Sequence, residues 1–191
     1  MASLNLALFH AIAAGFAPHP LALQIASAIA LGSSWLGAAV LAWAAWRRPT
    51  QRLWILAALA VAVAAGMLAH TIAAALHFPR PFALGLSPAY IEHGGRAGLP
   101  STHASVMFTI AFMLLARRGL RDVGLAMAAI ALLTGWARIY VGVHFPLDVA
   151  AGALLGAFLA GAMVSWQLLA RRLHPPAEQP AGHGASADAR L

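Results

Sequence analysis

Five apolar stretches, at residues 21–46, 53–76, 104–116, 123–143 and 147–169, leave this chain almost no polar surface with which to meet water. A hydrocarbon core of about 30 Å takes about 20 helical residues to cross. Four of the stretches reach that length, although the fourth carries Arg138 near its far end. The third, with Leu120 beyond it, is at the short end. Hydrophobic residues make up 62% of the 191 positions and charged residues 9%. A soluble domain is nearer half apolar and a quarter charged, so lipid is the natural solvent here. The expected fold is all-α, a polytopic transmembrane bundle of five spans in one domain over residues 1–173. Residues 4–16 are apolar but short and end at Pro18 and Pro20, which predicts an interfacial or re-entrant helix before the first span. No basic region precedes that segment, so no cleaved signal peptide is expected. The Pro-, Gly-, Ala- and Ser-rich residues 174–191 read as a disordered tail.

The formal net charge of +7 does not make this a nucleic-acid binder, because the arginines fall in short clusters between apolar runs and not along one solvated face. The chain has no lysine and no cysteine, which removes disulfides and thiolate metal sites from consideration. Arg47, Arg48 and Arg52 separate the first two spans, Arg117, Arg118 and Arg121 separate the third and fourth, and Arg171 and Arg172 follow the fifth. With five spans all three clusters reach one face, which the excess of basic residues predicts to be cytoplasmic. The N-terminus then lies outside, as do the loops at residues 77–100 and 140–146.

Those two outer loops and the helix ends beside them hold Arg80, Arg96, Arg138, Glu92, His77, His93, His103, His144 and Asp148, in a chain that otherwise avoids charge. Ionisable groups at membrane helix ends are costly unless they pair or serve a ligand. Three short stretches stand out: Phe78-Pro79-Arg80-Pro81-Phe82, Leu99-Pro100-Ser101-Thr102-His103-Ala104, and the run from Arg138 through His144 to Asp148. Pro146 suits the first turn of a helix, which puts His144 just before it and Asp148 inside that turn. At this spacing the carboxylate can reach one imidazole nitrogen and leave the other free to attack phosphorus. Ser101 suits an N-cap, and free N–H groups at that helix start can bind phosphate oxygens. His103 in the first turn can protonate a leaving oxygen. Arg80 and Arg138 can hold the equatorial oxygens of a phosphoryl group in transfer, with Pro79 and Pro81 stiffening the loop around Arg80. No cofactor is expected, and no carboxylate or histidine cluster has metal-ligand spacing.

The three stretches resemble the type 2 phosphatidic acid phosphatase family, whose pattern is Lys-x6-Arg-Pro, Pro-Ser-Gly-His and Ser-Arg-x5-His-x3-Asp. Arg80-Pro81, Pro100-Ser101-Thr102-His103, and Arg138, His144 and Asp148 stand in that order and spacing, across roughly residues 73–155. The resemblance implies a six-helix core and a metal-free phosphohistidine mechanism. In it His144 attacks, Asp148 supports it, His103 protonates the departing group, and Arg80, Arg138, Ser101 and Thr102 bind phosphate. Three positions depart from the pattern: the family lysine falls at Ala73, Thr102 replaces the glycine, and Ala137 replaces the serine. His77 and Arg96 are the candidates to supply the missing positive charge. Pro-Arg-Pro-Phe at 79–82, Ile-Glu-His at 91–93 and Val-Gly-Val-His-Phe-Pro-Leu-Asp at 141–148 look most like bacterial undecaprenyl-diphosphate phosphatases of the bacitracin-resistance type. That likeness implies release of phosphate from undecaprenyl diphosphate at the outer face of the bacterial inner membrane, recycling the carrier for peptidoglycan synthesis. Glu92 and His93 would contact the second phosphate or position Arg96. The alternatives are a phosphatase of phosphatidylglycerol phosphate, phosphatidic acid or a lipid A phosphate, and a lipid-phosphate binder or transporter without catalysis. Expected partners are therefore a lipid phosphate or diphosphate and the surrounding membrane lipids, not nucleic acid. Of the remaining residues, His70 reads as a packed or water-bonded histidine, and Gly152, Gly156 and Gly161 read as points of close helix approach.

Overall fold

In the computed structural model, which describes residues 3–94 and 97–173, the apolar stretches are helices. They are α1 (Ser3–Ile12), α2 (Pro20–Arg47), α3 (Arg52–Leu76), α4 (Thr102–Leu115), α5 (Arg121–Tyr140) and α6 (Pro146–Leu173), with single 3₁₀ turns at Pro49–Gln51, Pro81–Leu84 and Arg118–Leu120. Among the described residues four helices, α2, α3, α5 and α6, are long and apolar enough to cross a membrane. The third expected span, α4, has 14 residues, about 21 Å at 1.5 Å per residue, against about 42 Å for the 28-residue α2 and α6. α1 has 10 residues, too few to cross. The tail at 174–191 lies outside the described residues.

Polarity is inverted relative to a soluble protein. Trp35, Leu53, Leu154 and Phe158 point outward, while Ala26, Ala30, Ala58, Ala62, Ala65 and Ala69 are buried between helices. Large apolar side chains lose nothing by facing lipid tails, whereas small ones let helix backbones approach. α4 is the hub, packed against α3, α5 and α6, and α2 joins through α5. Gly152 and Gly156 make the α4–α6 contact possible. A Cβ at Gly152 would lie 2.7 Å from the Ser101 carbonyl oxygen and 2.8 Å from Ala104 Cβ, and one at Gly156 would lie 2.8 Å from the Thr109 nitrogen. Any side chain at Gly152 therefore drives the start of α6 away from the start of α4. Gly161 has no neighbour at that range and plays no part in the contact, because it lies on the exposed face of α6 while Ala160, four residues after Gly156, takes the buried position.

The arginine clusters meet at one end of the bundle. Arg48 forms a double hydrogen-bonded ion pair with Asp122 at the start of α5 and donates to the Gly119 carbonyl oxygen at 2.6 Å. Arg117 donates to Gln51 at 3.0 Å, stands over the Trp54 ring, and shares a surface groove with Arg171. The alternation of spans read from the arginines is thus the alternation the fold adopts. The loops carrying Arg80 and His144 lie at the other end.

Candidate active site

The connection between α5 and α6 is built for its histidine. α5 ends at Tyr140, and Gly142 takes φ +78, where a Cβ would fall 2.4 Å from the Pro88 carbonyl oxygen. A left-handed residue pressed this closely against a neighbouring backbone has to be glycine. The turn it makes delivers His144, which is 2% exposed, to the mouth of α6. His144 Nδ1 lies 3.1 Å from Asp148 Oδ2, and the same oxygen accepts the Phe145 N–H at 2.9 Å. With Nδ1–H donating to the carboxylate, Nε2 is left as the lone-pair nitrogen, and it faces a cleft.

Two other segments arrive at that nitrogen. Arg80 Nη1 stands 3.1 Å from His144 Nε2 and donates to the Val143 carbonyl oxygen at 2.8 Å, while Nη2 donates to the Ala97 carbonyl oxygen at 3.2 Å. These carbonyls fix the guanidinium in a loop that leaves α3 through His77 in the left-handed region. Ser101 Oγ stands 3.3 Å from the same Nε2. Ser101 also caps α4, accepting the Ala104 N–H at 3.5 Å, and its own N–H donates to the Asp148 carbonyl oxygen at 2.9 Å. The starts of α4 and α6 are therefore tied directly, as the glycine contact between them requires.

Arg138, on the last turn of α5, is 3% exposed. Its Nη2 donates to His93 Nδ1 at 3.4 Å, and its Nε–H has no acceptor among the described residues. A buried guanidinium with an unsatisfied donor is expensive in apolar surroundings, and an anion arriving in the cleft would satisfy it. The cleft measures about 640 Å³, and Arg80, Arg138, Thr102, His103, His93 and His144 line it. Its other wall is the α3 face with His70, Ala73 and His77.

Burial and nearby charge disfavour protonation of His144 and His93. Burial first, then the charges of Arg80 and Arg138, hold His144 well below the ordinary histidine value. The same causes bring His93 down to about 4. Burial also lowers Arg80, against the opposing influence of Asp148. A neutral His144 is what an attacking nitrogen has to be.

Of the residues singled out from sequence, Arg80, Ser101, Thr102, His103, Arg138, His144 and Asp148 come together around one cavity. His93 joins them, with its ring centroid 5.9 Å from that of His144. His77 lies on the cleft wall but is exposed. Glu92 is exposed in an open depression beside His93 and Gly94. Arg96 lies outside the described residues. His70, read as a packed or water-bonded histidine, is exposed on the cleft wall, one helical turn before the alanine at the lysine position. Its spacing from Ala73 and His77 put all three on one face of α3, a signal that was available. Among the described residues no three His, Asp or Glu side chains converge as a metal ion would need.

This geometry can be set beside known proteins. The chain is 33% identical over 96 residues to YbjG of Escherichia coli (strain K12), covering 50% of this chain and 48% of that one. It is 35% identical over 98 residues to the undecaprenyl-diphosphatase BcrC of Bacillus subtilis (strain 168), covering 51% and 49%. The chain thus spans about half the length of these curated relatives. Among solved structures it is similar to LpxE of Aquifex aeolicus, with a TM-score of 0.66 and 29% identity over 85% of this chain and 96% of that one. The first transmembrane PAP2-type phosphatidylglycerolphosphate phosphatase of Bacillus subtilis shares the fold, with a TM-score of 0.65 and 23% identity over 89% of this chain and 87% of that one. The family model described as the PAP2 superfamily matches residues 53–172, which takes in α3 to α6 and every segment that reaches the cleft. With more than half its length matched and the family's motif residues gathered around one cavity, this membrane protein belongs to the PAP2 superfamily.

Proposed function

We propose that the chain hydrolyses undecaprenyl diphosphate to undecaprenyl phosphate and phosphate. The observation that carries the chemistry is His144 Nε2 facing the cleft between Arg80 and Ser101, with Asp148 on the opposite nitrogen. His144 Nε2 attacks the terminal phosphorus. The bond from that phosphorus to the bridging oxygen breaks, and His103 gives its proton to the departing undecaprenyl phosphate. Asp148 stabilises the imidazole as it becomes cationic. Water, giving a proton to His103, then attacks the phosphohistidine and breaks the P–N bond. Arg80, Arg138, Ser101 and Thr102 hold the transferring oxygens, the contribution usually largest in such reactions. An arriving anion raises the proton affinity of the imidazoles around it, so the site gains its acid as it gains its substrate.

The choice of lipid rests on the Pro-Arg-Pro-Phe, Ile-Glu-His and Val-Gly-Val-His-Phe-Pro-Leu-Asp phrases, on the likeness to BcrC, and on the shape of the cleft. Alanine at position 73 leaves room beside His70 and His77 for a second phosphate, with His93 also lining the cleft and Glu92 beside it. The test is phosphate release by purified protein from undecaprenyl diphosphate, phosphatidylglycerol phosphate, phosphatidic acid and a lipid A phosphate, in excess chelator. The expected result is a kcat/KM at least about tenfold higher for undecaprenyl diphosphate, unaffected by chelation, since tenfold is about 1.4 kcal/mol of discrimination. A higher value on another lipid reassigns the substrate, and strict dependence on Mg²⁺ refutes the metal-free mechanism.

The site belongs, on this reading, to the outer face of a bacterial cytoplasmic membrane, because the opposite end carries the arginine clusters. The absence of cysteine makes labelling direct. A membrane-impermeant maleimide applied to intact cells is expected to modify Glu92→Cys and to spare Gly119→Cys. The reverse pattern would place the site in the cytoplasm.

A further inference from the structure

We propose that α1 belongs to the catalytic apparatus and that Asn5 is its positioning residue. Asn5 caps helix α6 from across the chain and so holds the loop that carries His144. The inference rests on the phosphatase reading above, but concerns a segment outside the residues the family model matches.

The start of α6 poses a capping problem. A helix exposes its first backbone N–H groups, and a polar side chain at the N-cap normally satisfies one of them. Here the residue before Pro146 is Phe145, which has no acceptor in its side chain. Asp148, in the first turn, is the local carboxylate that would otherwise serve, but its Oδ2 is committed to His144 Nδ1 and the Phe145 N–H. The acceptor comes instead from 142 positions away: Asn5 Oδ1 takes the Leu147 N–H at 3.0 Å. Asn5 is buried, as a capping amide in apolar surroundings should be. By satisfying the helix end it leaves Asp148 to the imidazole.

The rest of α1 grips the same loop. Phe9, one turn on from Asn5, is fully buried, with its ring centroid 5.2 Å from that of Phe145. Beyond the helix, the Ala14 N–H donates to the Tyr140 carbonyl oxygen at 2.9 Å, and the Gly15 carbonyl oxygen accepts the Tyr90 hydroxyl at 2.8 Å. Residues 141–146 are thus held at Tyr140 on one side and at Leu147 on the other. The opposite face of α1, with Leu4 and Leu8, is exposed. A displacement of about 1 Å at a reacting group can cost about a hundredfold in rate.

The experiment uses the full chain in lipid nanodiscs. Asn5→Ala is expected to lower kcat about 10- to 100-fold with KM within about twofold, since phosphate binding by Arg80 and Arg138 is untouched. Asn5→Asp, which keeps the acceptor, is expected to recover kcat to within about threefold. Leu4→Ala, on the exposed face, is expected to leave kcat unchanged. Should the alanine variant fail to fold, Asn5→Ser, polar but too short to reach Leu147, carries the same expectation. Hydrogen exchange of the 141–150 peptide is a readout independent of turnover, and is expected to accelerate in Asn5→Ala and not in Leu4→Ala. A folded Asn5→Ala protein with wild-type kcat and wild-type exchange overturns the proposal and leaves the phosphatase reading standing. A wild-type protein that releases phosphate from no lipid sinks that reading, while the exchange measurement still decides whether Asn5 holds the loop.

Discussion

His144→Ala is expected to lower phosphate release by about 10⁴-fold or more, the scale on which enzymes lose rate when their nucleophile is removed. The same variant should trap no acid-labile phosphoenzyme on rapid quenching. A phosphorylated His144→Ala protein would move the nucleophile elsewhere. The wild-type pH profile gives a second reading of the same residue. Protonation of His144 removes its lone pair, and burial with two nearby guanidinium groups depresses its proton affinity. The acid limb of kcat/KM is therefore expected below pH 6.5, the ordinary histidine value. Stability follows in the same direction. His93, lowered to about 4, and His144 bind fewer protons folded than unfolded as pH falls below about 6.5. The folded state is favoured above that range and weakened as acid is added through it.

Arg138→Met is expected to separate activity from stability with opposite signs. The guanidinium is 3% exposed, with its Nε–H unpaired among the described residues. Replacing a buried charge by an apolar side chain of similar volume is often neutral or stabilising by about 1–4 kcal/mol. Without substrate, then, the methionine variant should melt at the same temperature or higher. Its kcat should fall about 10²- to 10³-fold, the usual effect of deleting one donor to transition-state charge. A variant that melts lower and keeps most of its activity would show that Arg138 serves the fold and not the phosphate.

Most of the candidate site was legible because membrane chemistry makes polar residues conspicuous. Arg80, Ser101, His103, Arg138, His144 and Asp148 stand out against an apolar background, and the arginine clusters dictate which loops share a face. Arg48 bound to Asp122, and Arg117 bound to Gln51, are the physical form of that dictation. Helix limits were legible to within a few residues, since α2, α3 and α6 begin and end where the apolar runs do. What sequence did not convey is long-range. Nothing in residues 4–16 says that Asn5 meets Leu147, because that pairing depends on how α1 docks and not on any periodicity. Gly161 looked like its neighbours on α6 and has no helix to approach. His70 seemed ordinary because its place on the cleft wall beside Ala73 depends on how other segments pack, and a cavity has no residue of its own.

The shortness of α4 has a consequence for traffic. α4 has 14 residues against 20 to 28 in the helices it packs on, and its first residues, Thr102 and His103, line the cleft, so on the proposed reading the anionic headgroup is met between helix ends and not beyond them. Extracting a long hydrocarbon chain from its leaflet would cost about 0.8 kcal/mol for every methylene exposed to water. A lipid phosphate bound as proposed would avoid that expense, keeping its tail among other tails and bringing only its charged end inward.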